Sequence, residues 1–507
     1  MVPPHGTELT TLAWFCGWLI AVVGLFTLSV ILPLAQRARG WRRWWRRVCL
    51  GGAAVSIVVL ANIALSLHDA HFDLTREHVF TPDPAALEVV ARLARPVSIT
   101  YFYRTQDPNG KRASGILKML ARRNPMLSVR TIDPDLDPRL AASYGVTINN
   151  AAVIEAEGRQ ILVRSTDETE FAIGIQRVLR ERTVEVCFIE GHGEYASTNY
   201  EFHTHLDSDA GHNHDDANSA VIDTTQHGYG RFRRSLESIG YDVRLIALAD
   251  PAGIPSTCEA VIEAGPRTTY TPVESAALAA HLGAGGNLLL MLDVGYVLEP
   301  SLAEFLEKLG VLLPQIQISD PQNHQGNDST MVSVTAYEPH PITHQVSFTF
   351  FPGVRALILG DQPTVASFPL VRSSAASVAH PFRFDRNRAI VTSAEPMPTS
   401  APTSHILAAA VEGVLSANGE EFRAVVVGDA DFASNSFYPY AANSDLALAI
   451  IRWLLHEESA VAVQSRIPVP PLLVLTNSQM QRVFVLVEIA LPLLVVLAGL
   501  VIWWRRR

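Results

Sequence analysis

The 507-residue sequence predicts an α/β protein, in which a smaller α/β domain and an elaborated doubly wound sheet domain are combined with three transmembrane helices. Three observations support this fold class. Segments with helical periodicity alternate with β-branched and aromatic runs from residue 85 to residue 458. Apolar runs at 12–35, 48–67 and 483–504 are each long enough to span a bilayer. The chain is 48% hydrophobic and only 18% charged, and these runs account for the excess.

Arginines beside the apolar runs predict the orientation of the chain. The loop "QRARGWRRWWRR" separates the first two runs, and the chain ends in "RRR". Because short basic loops remain cytoplasmic, we expect both segments inside and residues 68–482 on the extracytoplasmic side of a multi-pass membrane protein. Acidic residues outnumber basic ones in that external region, which excludes nucleic acid as an expected partner.

The first external domain is predicted at 71–182, after the segment 1–67 that contains two transmembrane helices and their basic loop. Its pattern is helix, strand, helix, strand, helix and a strand pair that turns at Glu157-Gly158, with a final helix "EFAIGIQRVLRE". The βαβαββ order is that of a thioredoxin-like fold. Where such folds carry redox cysteines, this sequence reads "RTQDPNGK", so thiol chemistry is not expected there.

The second external domain is predicted at 183–458, where strands and helices alternate as in a doubly wound parallel sheet. The pattern is irregular after Gly310. Residues 459–482 are predicted as a linker, and 483–507 as a transmembrane helix with a basic tail. Cys187 and Cys258 fall in two strands, where we expect buried free thiols; the alternative, a disulfide, requires an oxidising compartment.

The stretch "FIEGHGE" ends the first strand of the second domain, where open α/β sheets bind ligands. Glu190, His192 and Glu194 have the chemistry of acid, base or ligand groups. The alternative is that Gly191 and Gly193 form a tight turn that the polar residues only line. We predict that the three polar residues line a ligand cleft without acting as catalysts.

The stretch "VVVGDADFASN" ends another buried strand and is predicted to face the same cleft. Asp429 and Asp431 form a carboxylate pair of the kind that holds Mg²⁺ or shares a proton, and Asn435 follows them. Helix capping and turn formation explain these residue types equally well. We include all three residues in the predicted ligand cleft.

Four histidines occur in "EFHTHLDSDAGHNHDD": His203, His205, His212 and His214. Four imidazoles suffice to bind a divalent transition metal such as Zn²⁺, Cu²⁺ or Ni²⁺. The segment is polar, rich in Gly and Asp, and without periodicity, which is typical of a solvated loop. We therefore expect metal uptake without catalysis. The alternative is a membrane-anchored, metal-dependent envelope hydrolase that uses these histidines with Glu190 or Glu194.

The sequence contains no G-x-x-x-x-G-K-[ST] loop, no G-x-G-x-x-G opening a helix, no G-x-S-x-G elbow and no H-E-x-x-H. These motifs would indicate an ATPase, a dinucleotide-binding enzyme, a serine hydrolase or a zinc protease. We expect no catalytic residue and no resident cofactor.

Six stretches, in the same order, resemble the gliding-motility-type auxiliary component of ABC transporters: "DLTREHVFTPDPAALEVVARLARPVSITYFY", "FIEGHGE", "HLGAGGNLLLMLD", "EPHPITHQV", "VVVGDADFASN" and "LTNSQMQRVFVLVEIALPLLVVLAGLVIWWRRR". The resemblance covers most of residues 71–507. It implies an anchored extracytoplasmic α/β region at the bacterial inner membrane, working beside a separate ATPase and permease. It also implies a sheet domain similar to glutamine-amidotransferase-like folds, although their nucleophilic cysteine elbow is missing. The histidine insertion departs from the family pattern.

We therefore expect a non-catalytic, membrane-anchored auxiliary or substrate-binding subunit of an ABC-type transport system. Its expected partners are the permease, the ATPase, the lipid bilayer and a transported substrate. The hydrolase is the alternative, and a structural adhesion or motility anchor is a third interpretation.

Overall fold

The structure is a computed structural model, and it describes residues 81–146, 149–200, 228–250, 253–326, 328–384, 390–392, 402–416, 419–458, 461 and 477–506, together with five isolated positions before residue 81. The chain divides into two units, Met1–Thr81 and Pro82–Arg507. The second unit contains nearly all of the predicted external region. The four histidines of the predicted metal-binding loop lie outside the described residues.

Four helices and four strands form the first α/β region. In chain order they are α1 (Pro84–Ala91), β1 (Val97–Phe102), α2 (Pro108–Arg123), β2 (Leu127–Ile132), α3 (Pro138–Ser143), β3 (Ala151–Ala156), β4 (Arg159–Arg164) and α4 (Glu168–Leu179). Each helix begins after an aspartate whose side chain accepts a backbone N–H of the first turn: Asp83, Asp107, Asp137 and Asp167. The strand order is β2-β1-β3-β4, with only the β1–β2 pair parallel.

A seven-stranded sheet forms the centre of the second region, in the order β14-β17-β18-β8-β7-β5-β6. Five strands are parallel: β5 (Glu185–Ile189), β6 (Asp242–Ile246), β7 (Cys258–Ala264), β8 (Asn287–Met291) and β18 (Phe422–Val427). The last two, β17 (Ile406–Gly413) and β14 (Val365–Arg372), are antiparallel. The sheet is therefore mixed, and the prediction of a doubly wound parallel sheet is wrong at this end, because strands joined without a crossover helix run in opposite directions.

The strand order reverses between β5 and β7. β6 follows β5 in the chain and pairs with one side of it, whereas β7 pairs with the other side. The loops after β5 and β7 therefore meet at the topological switch point, where open α/β sheets form their ligand crevice. Four helices accompany this sheet: α5 (Gly230–Ile239), α6 (Pro272–Gly283), α7 (Pro300–Lys308) and α8 (Asn443–Leu454).

Short antiparallel strands fill the part of the sequence whose pattern is irregular. They are β9 (Val311–Leu312), β10 (Ile316–Ser319), β11 (Met331–Val334), β12 (Thr349–Pro352), β13 (Ile358–Leu359), β15 (Val378–Phe384) and β16 (Ile390–Thr392). They pair as β10-β15-β16, β11-β12 and β13-β9. On the edge strand β14, the register shifts around Val371, close to Pro369, and Tyr337 forms a bridge to Val371.

Alternate residues of the strands pack into two apolar clusters, one on each face of the sheet; Phe188 belongs to one and Cys187 to the other. Cys187 and Cys258 form a disulfide, so the expectation of free thiols is wrong. The physical reason is that the two cysteines lie on neighbouring strands, β5 and β7, whose register shifts after Glu185. Their Cα atoms are 5.6 Å apart, a normal separation for a disulfide.

The predicted third transmembrane helix is divided into α9 (Asn477–Phe484), a π-helical segment (Val485–Ala490) and α10 (Leu491–Arg506). In none of the described ranges is a helix long and apolar enough to cross a membrane. The prediction of three transmembrane helices is therefore wrong for the described part of the chain. The predicted spans at 12–35 and 48–67 lie outside the described residues apart from isolated positions.

The end of α4 contacts the sheet region through Arg180. Its guanidinium donates to both carboxylate oxygens of Glu457, at 3.2 and 3.0 Å, and lies 4.5 Å from the ring centroid of Tyr241. The predicted division into domains at 71–182 and 183–458 stays a prediction.

Candidate functional site

The loop after β5, which contains "GHGE", packs directly against the loop after β7. The His192 carbonyl oxygen accepts backbone N–H groups from Arg267 at 2.7 Å and Thr268 at 2.9 Å. Within the first loop, the Glu194 carboxylate accepts the backbone N–H groups of Gly191 and His192. The turn is therefore closed by Glu194, and the two loops hold each other across the switch point.

His192 fills the space between these loops. Its side chain is buried, with the residue 5% exposed, and stacks on Tyr270. Its Nδ1 lies 3.2 Å from Glu194 Oε1, and its Nε2 lies 3.4 Å from Glu274 Oε1. Burial lowers the pKa of His192, but the carboxylates of Glu194, Glu263 and Glu274 outweigh burial and raise the pKa to about 9. The imidazole is thus held as a cation at neutral pH.

Glu263 is the fully buried acid of this network. It lies within β7, accepts a short hydrogen bond from the Tyr270 hydroxyl, and has a second oxygen, Oε1, without a hydrogen-bond partner. Burial, followed by repulsion from Glu194, raises the pKa of Glu263 well above its usual range. Glu274, in contrast, is held in place by a capping box that it forms with Thr271 at the start of α6. We name Glu194, Glu263, Glu274, Tyr270 and His192 the histidine network.

A second group of acids lies along the same edge of the sheet. Asp293 follows β8, and Asp429 and Asp431 follow β18; one carboxylate oxygen of each lies within 4.8 Å of the others. Burial, and then repulsion from Asp431, raises the pKa of Asp293 to about 7 and that of Asp429 well above its usual range. We name these three residues the aspartate cluster.

Two arginines lie next to the aspartate cluster. Arg355 is fully buried and directs its Nη groups to backbone oxygens of Asp293, Tyr296, Leu313 and Pro314. Burial lowers the pKa of Arg355 to about 10, against the opposing effect of Asp293. The guanidinium of Arg267 lies 4.5 Å from the ring centroid of Tyr195.

The structure brings together some of the sequence-predicted residues but not all. His192 and Glu194 share the histidine network, and Asp429 and Asp431 share the aspartate cluster. Glu190 is half-buried, and its backbone N–H donates to the Ile246 carbonyl. The sequence reasoning missed Asp293, Glu263, Tyr270 and Glu274. Asp293 could have been predicted from the sequence. The stretch "LLLMLD" is an apolar strand followed by an aspartate, the same pattern as "VVVGD".

Asn435 has a positioning role. It is fully buried; its Oδ1 accepts the Arg231 N–H at 2.9 Å, and its Nδ2 donates to the Asn199 carbonyl at 2.7 Å. Its own N–H donates to the Gly228 carbonyl at 2.7 Å. These partners flank residues 201–227 on both sides, so Asn435 joins the two ends of the segment that contains the four histidines.

A groove of about 660 Å³ lies on another part of the molecule. It is lined by residues 337–346, which include "EPHPITHQV", together with Asp445, Ala449, Arg452 and Glu458. Burial and the nearby Arg423 lower the pKa of His340 to about 4, so this imidazole is neutral at physiological pH. The groove's volume is within the range of small-molecule sites.

These features define an α/β protein with a mixed sheet, whose switch-point loops carry buried polar networks, and whose sequence lacks a nucleotide-binding loop. The chain belongs to the family described as ABC-type uncharacterized transport system (ABC_transp_aux), whose model matches residues 183–450. It is an auxiliary component of an ABC-type transport system, and the resemblance is confirmed over residues 183–450, which contain four of the six stretches.

Several solved structures are similar to parts of this chain. The mmIFT52 N-terminal domain is 15% identical, with a TM-score of 0.37 over 54% of this chain and 97% of that one. A putative thua-like protein from Bacteroides uniformis is 12% identical, with a TM-score of 0.31 over 54% and 93%. Thioredoxin from Fasciola hepatica is 20% identical, with a TM-score of 0.16 over 16% and 80%. These likenesses carry no functional argument. No match was found among curated proteins.

Proposed function

We propose that the chain is a non-catalytic subunit of an ABC-type transport system, which acts on the extracytoplasmic side with a separate ATPase and permease and contacts the transported substrate. The family supports the transport role. The missing phosphate-binding loop supports a separate ATPase, because ATP hydrolysis needs a cradle for the phosphates. The Cys187–Cys258 disulfide supports an oxidising compartment outside the cytoplasm.

The main support for a non-catalytic role is that the side chain of His192 and its partners fill the crevice at the switch point. Both ring nitrogens of His192 face carboxylates, and the ring is stacked on Tyr270. A general base needs an unprotonated nitrogen within reach of a substrate proton. His192 has neither, because its pKa is about 9 and the residue is 5% exposed. The network therefore supports a role in holding loops rather than in proton transfer.

The 660 Å³ groove lined by residues 337–346 is our candidate for the contact with substrate or permease. It combines apolar and charged side chains in a concave surface, as ligand sites do. His344 and Gln345 line it and are exposed, so they can be changed without disturbing the core.

The test is a pull-down of the tagged full chain from native membranes in mild detergent, with identification of the co-purifying proteins. We expect an ATPase and a permease in stoichiometric amounts. Gln345→Arg should reduce their recovery at least threefold, whereas the matched change Gln106→Arg, at an exposed position of the first α/β region, should not. Recovery of the chain without either protein, from membranes in which both are present, would contradict the proposal.

A further inference from the structure

The aspartate cluster is built by two neighbouring parallel strands. Met291 of β8 and Val427 of β18 are direct partners in the sheet. Asp293 and Asp429 each stand two residues further on, so they occupy equivalent positions just beyond the ends of their strands. Asp431 follows in the short 3₁₀ helix Asp431–Ala433. The sheet therefore sets the separation of the first two carboxylates.

Each of the two strand-end aspartates uses one oxygen to hold the loop after β18. Asp293 Oδ1 accepts the Ala430 N–H at 2.5 Å, and Asp429 Oδ1 accepts the Asp431 N–H at 2.9 Å. The other oxygen of Asp429, Oδ2, is buried and has no hydrogen-bond partner, and Asp429 is only 1% exposed. An unsatisfied buried carboxylate oxygen is costly, so this atom points to a group that is held by the cluster.

The Arg355 guanidinium does not fill that role. The Nη groups of Arg355 are directed to backbone carbonyl oxygens, including that of Asp293. They lessen the negative potential of the cluster without bonding to the Asp429 carboxylate. Three carboxylates within 4.8 Å of one another repel each other, and a proton or a cation between them would relieve this repulsion.

We propose that Asp293, Asp429 and Asp431 bind one hard divalent cation of the Mg²⁺ or Ca²⁺ class. Such ions take oxygen ligands at about 2.0–2.6 Å, so two ligand atoms of one ion are separated by up to about 5 Å. The oxygens of the cluster meet this condition. Asp293 is partly exposed, which leaves room for water molecules to complete the coordination. This site differs in chemistry from the histidine segment, whose imidazoles prefer transition metals.

The test uses the full chain after treatment with a chelator, with Tb³⁺ as a luminescent probe for an oxygen site. Tyr229 donates its hydroxyl hydrogen to the Ala430 carbonyl, between two of the proposed ligands, and can sensitise Tb³⁺ emission. We expect saturable emission that millimolar Ca²⁺ or Mg²⁺ competes away, and a rise of several degrees in the unfolding temperature with either ion. Asp429→Asn and Asp293→Asn should each weaken Tb³⁺ binding at least tenfold, whereas Asp242→Asn, at an exposed position of β6, should leave it unchanged.

The competing explanation is that the cluster shares a proton. In that case the wild-type chain gains no thermal stability from Ca²⁺ or Mg²⁺, and Asp429→Asn is at least as stable as wild type, because a neutral amide replaces a protonated acid. That result overturns the proposal. The ion dependence of the wild-type chain decides the matter even where a variant fails to fold.

Discussion

The imidazole of His192 lies parallel to the phenol ring of Tyr270, with the ring centroids 4.2 Å apart and 6° between the planes. One ring comes from the loop after β5 and the other from the loop after β7. The stack therefore joins the two loops at the point where the strand order of the sheet reverses. It is reinforced by Glu194 on one ring nitrogen and Glu274 on the other.

The histidine network makes stability dependent on pH. The folded pKa of His192 is about 9, above its unfolded value of 6.5, because Glu194, Glu263 and Glu274 face the ring. Its contribution is therefore complete below pH 6.5 and is lost as pH rises through 9. The shift corresponds to about 3 kcal/mol of unfolding free energy. Urea unfolding at several pH values should show this loss in wild type and in His344→Gln, an exposed control, but not in His192→Gln. Equal pH slopes in all three would refute the assignment.

The disulfide should contribute about 2–4 kcal/mol to the unfolding free energy, since it closes a sequence separation of 71 residues. A reductant should lower the urea midpoint of the wild type and leave that of the double variant Cys187→Ala/Cys258→Ala unchanged. Thiol labelling followed by peptide mass spectrometry should modify Cys187 and Cys258 only after reduction. Labelling of both residues in the unreduced, unfolded chain would show that they do not pair.

Gly265 should not tolerate a side chain. Its φ of +68° is unfavourable for other residues, and a Cβ there would lie 3.1 Å from Ala430 Cβ and 3.2 Å from Asp293 Oδ2. Gly145 has the same φ with open space around it, and is the matched control. We expect Gly145→Ala to cost about 1 kcal/mol through backbone strain alone. Gly265→Ala should cost about 2–4 kcal/mol, because crowding is added. If Gly265→Ala and Gly145→Ala lose equal unfolding free energy, the loop after β18 moves to accommodate the added methyl group at no measurable cost.

Asn435→Ala should destabilise the fold by about 1–3 kcal/mol, because it removes the hydrogen bond to the Arg231 N–H and one of the two hydrogen bonds that the Asn199 carbonyl accepts. Asn109→Ala, an exposed change, should stay within about 0.5 kcal/mol. Chemical denaturation of both variants measures the difference. An unchanged unfolding free energy in Asn435→Ala would mean that a water molecule replaces the hydrogen bonds of the amide.

Much of the secondary structure can be predicted from local pattern. The stretch "PVSITYFY" contains β1, and "NLLLMLD" contains β8, because continuous β-branched or apolar runs identify buried strands. Between Gly310 and Phe384 the strands are often too short for this signal. β9 has two residues and β10 has four, so neither can display a period of two over a usable length.

Part of the candidate site could be predicted from the sequence, because side chains that directly follow a buried strand can be recognised from the pattern. Asp429 and Asp431 are recognisable because they follow a buried strand. Glu263 is not, since it lies inside a strand and its partners come from other loops. Pairing of Cys187 with Cys258 likewise depends on the register of β5 and β7, which is a property of the assembled sheet.

The edge strand β14 limits how another molecule can approach the sheet. Pro369 has no N–H to offer, and the Leu370 carbonyl already accepts the Glu338 N–H. Tyr337 occupies the position beside Val371. From Pro369 to Val371 an incoming strand therefore meets no continuous row of donors and acceptors, and cannot extend the sheet by backbone pairing along this part of the edge. A protein that docks at this end must recognise side chains, so its specificity should be sensitive to single surface substitutions on either partner.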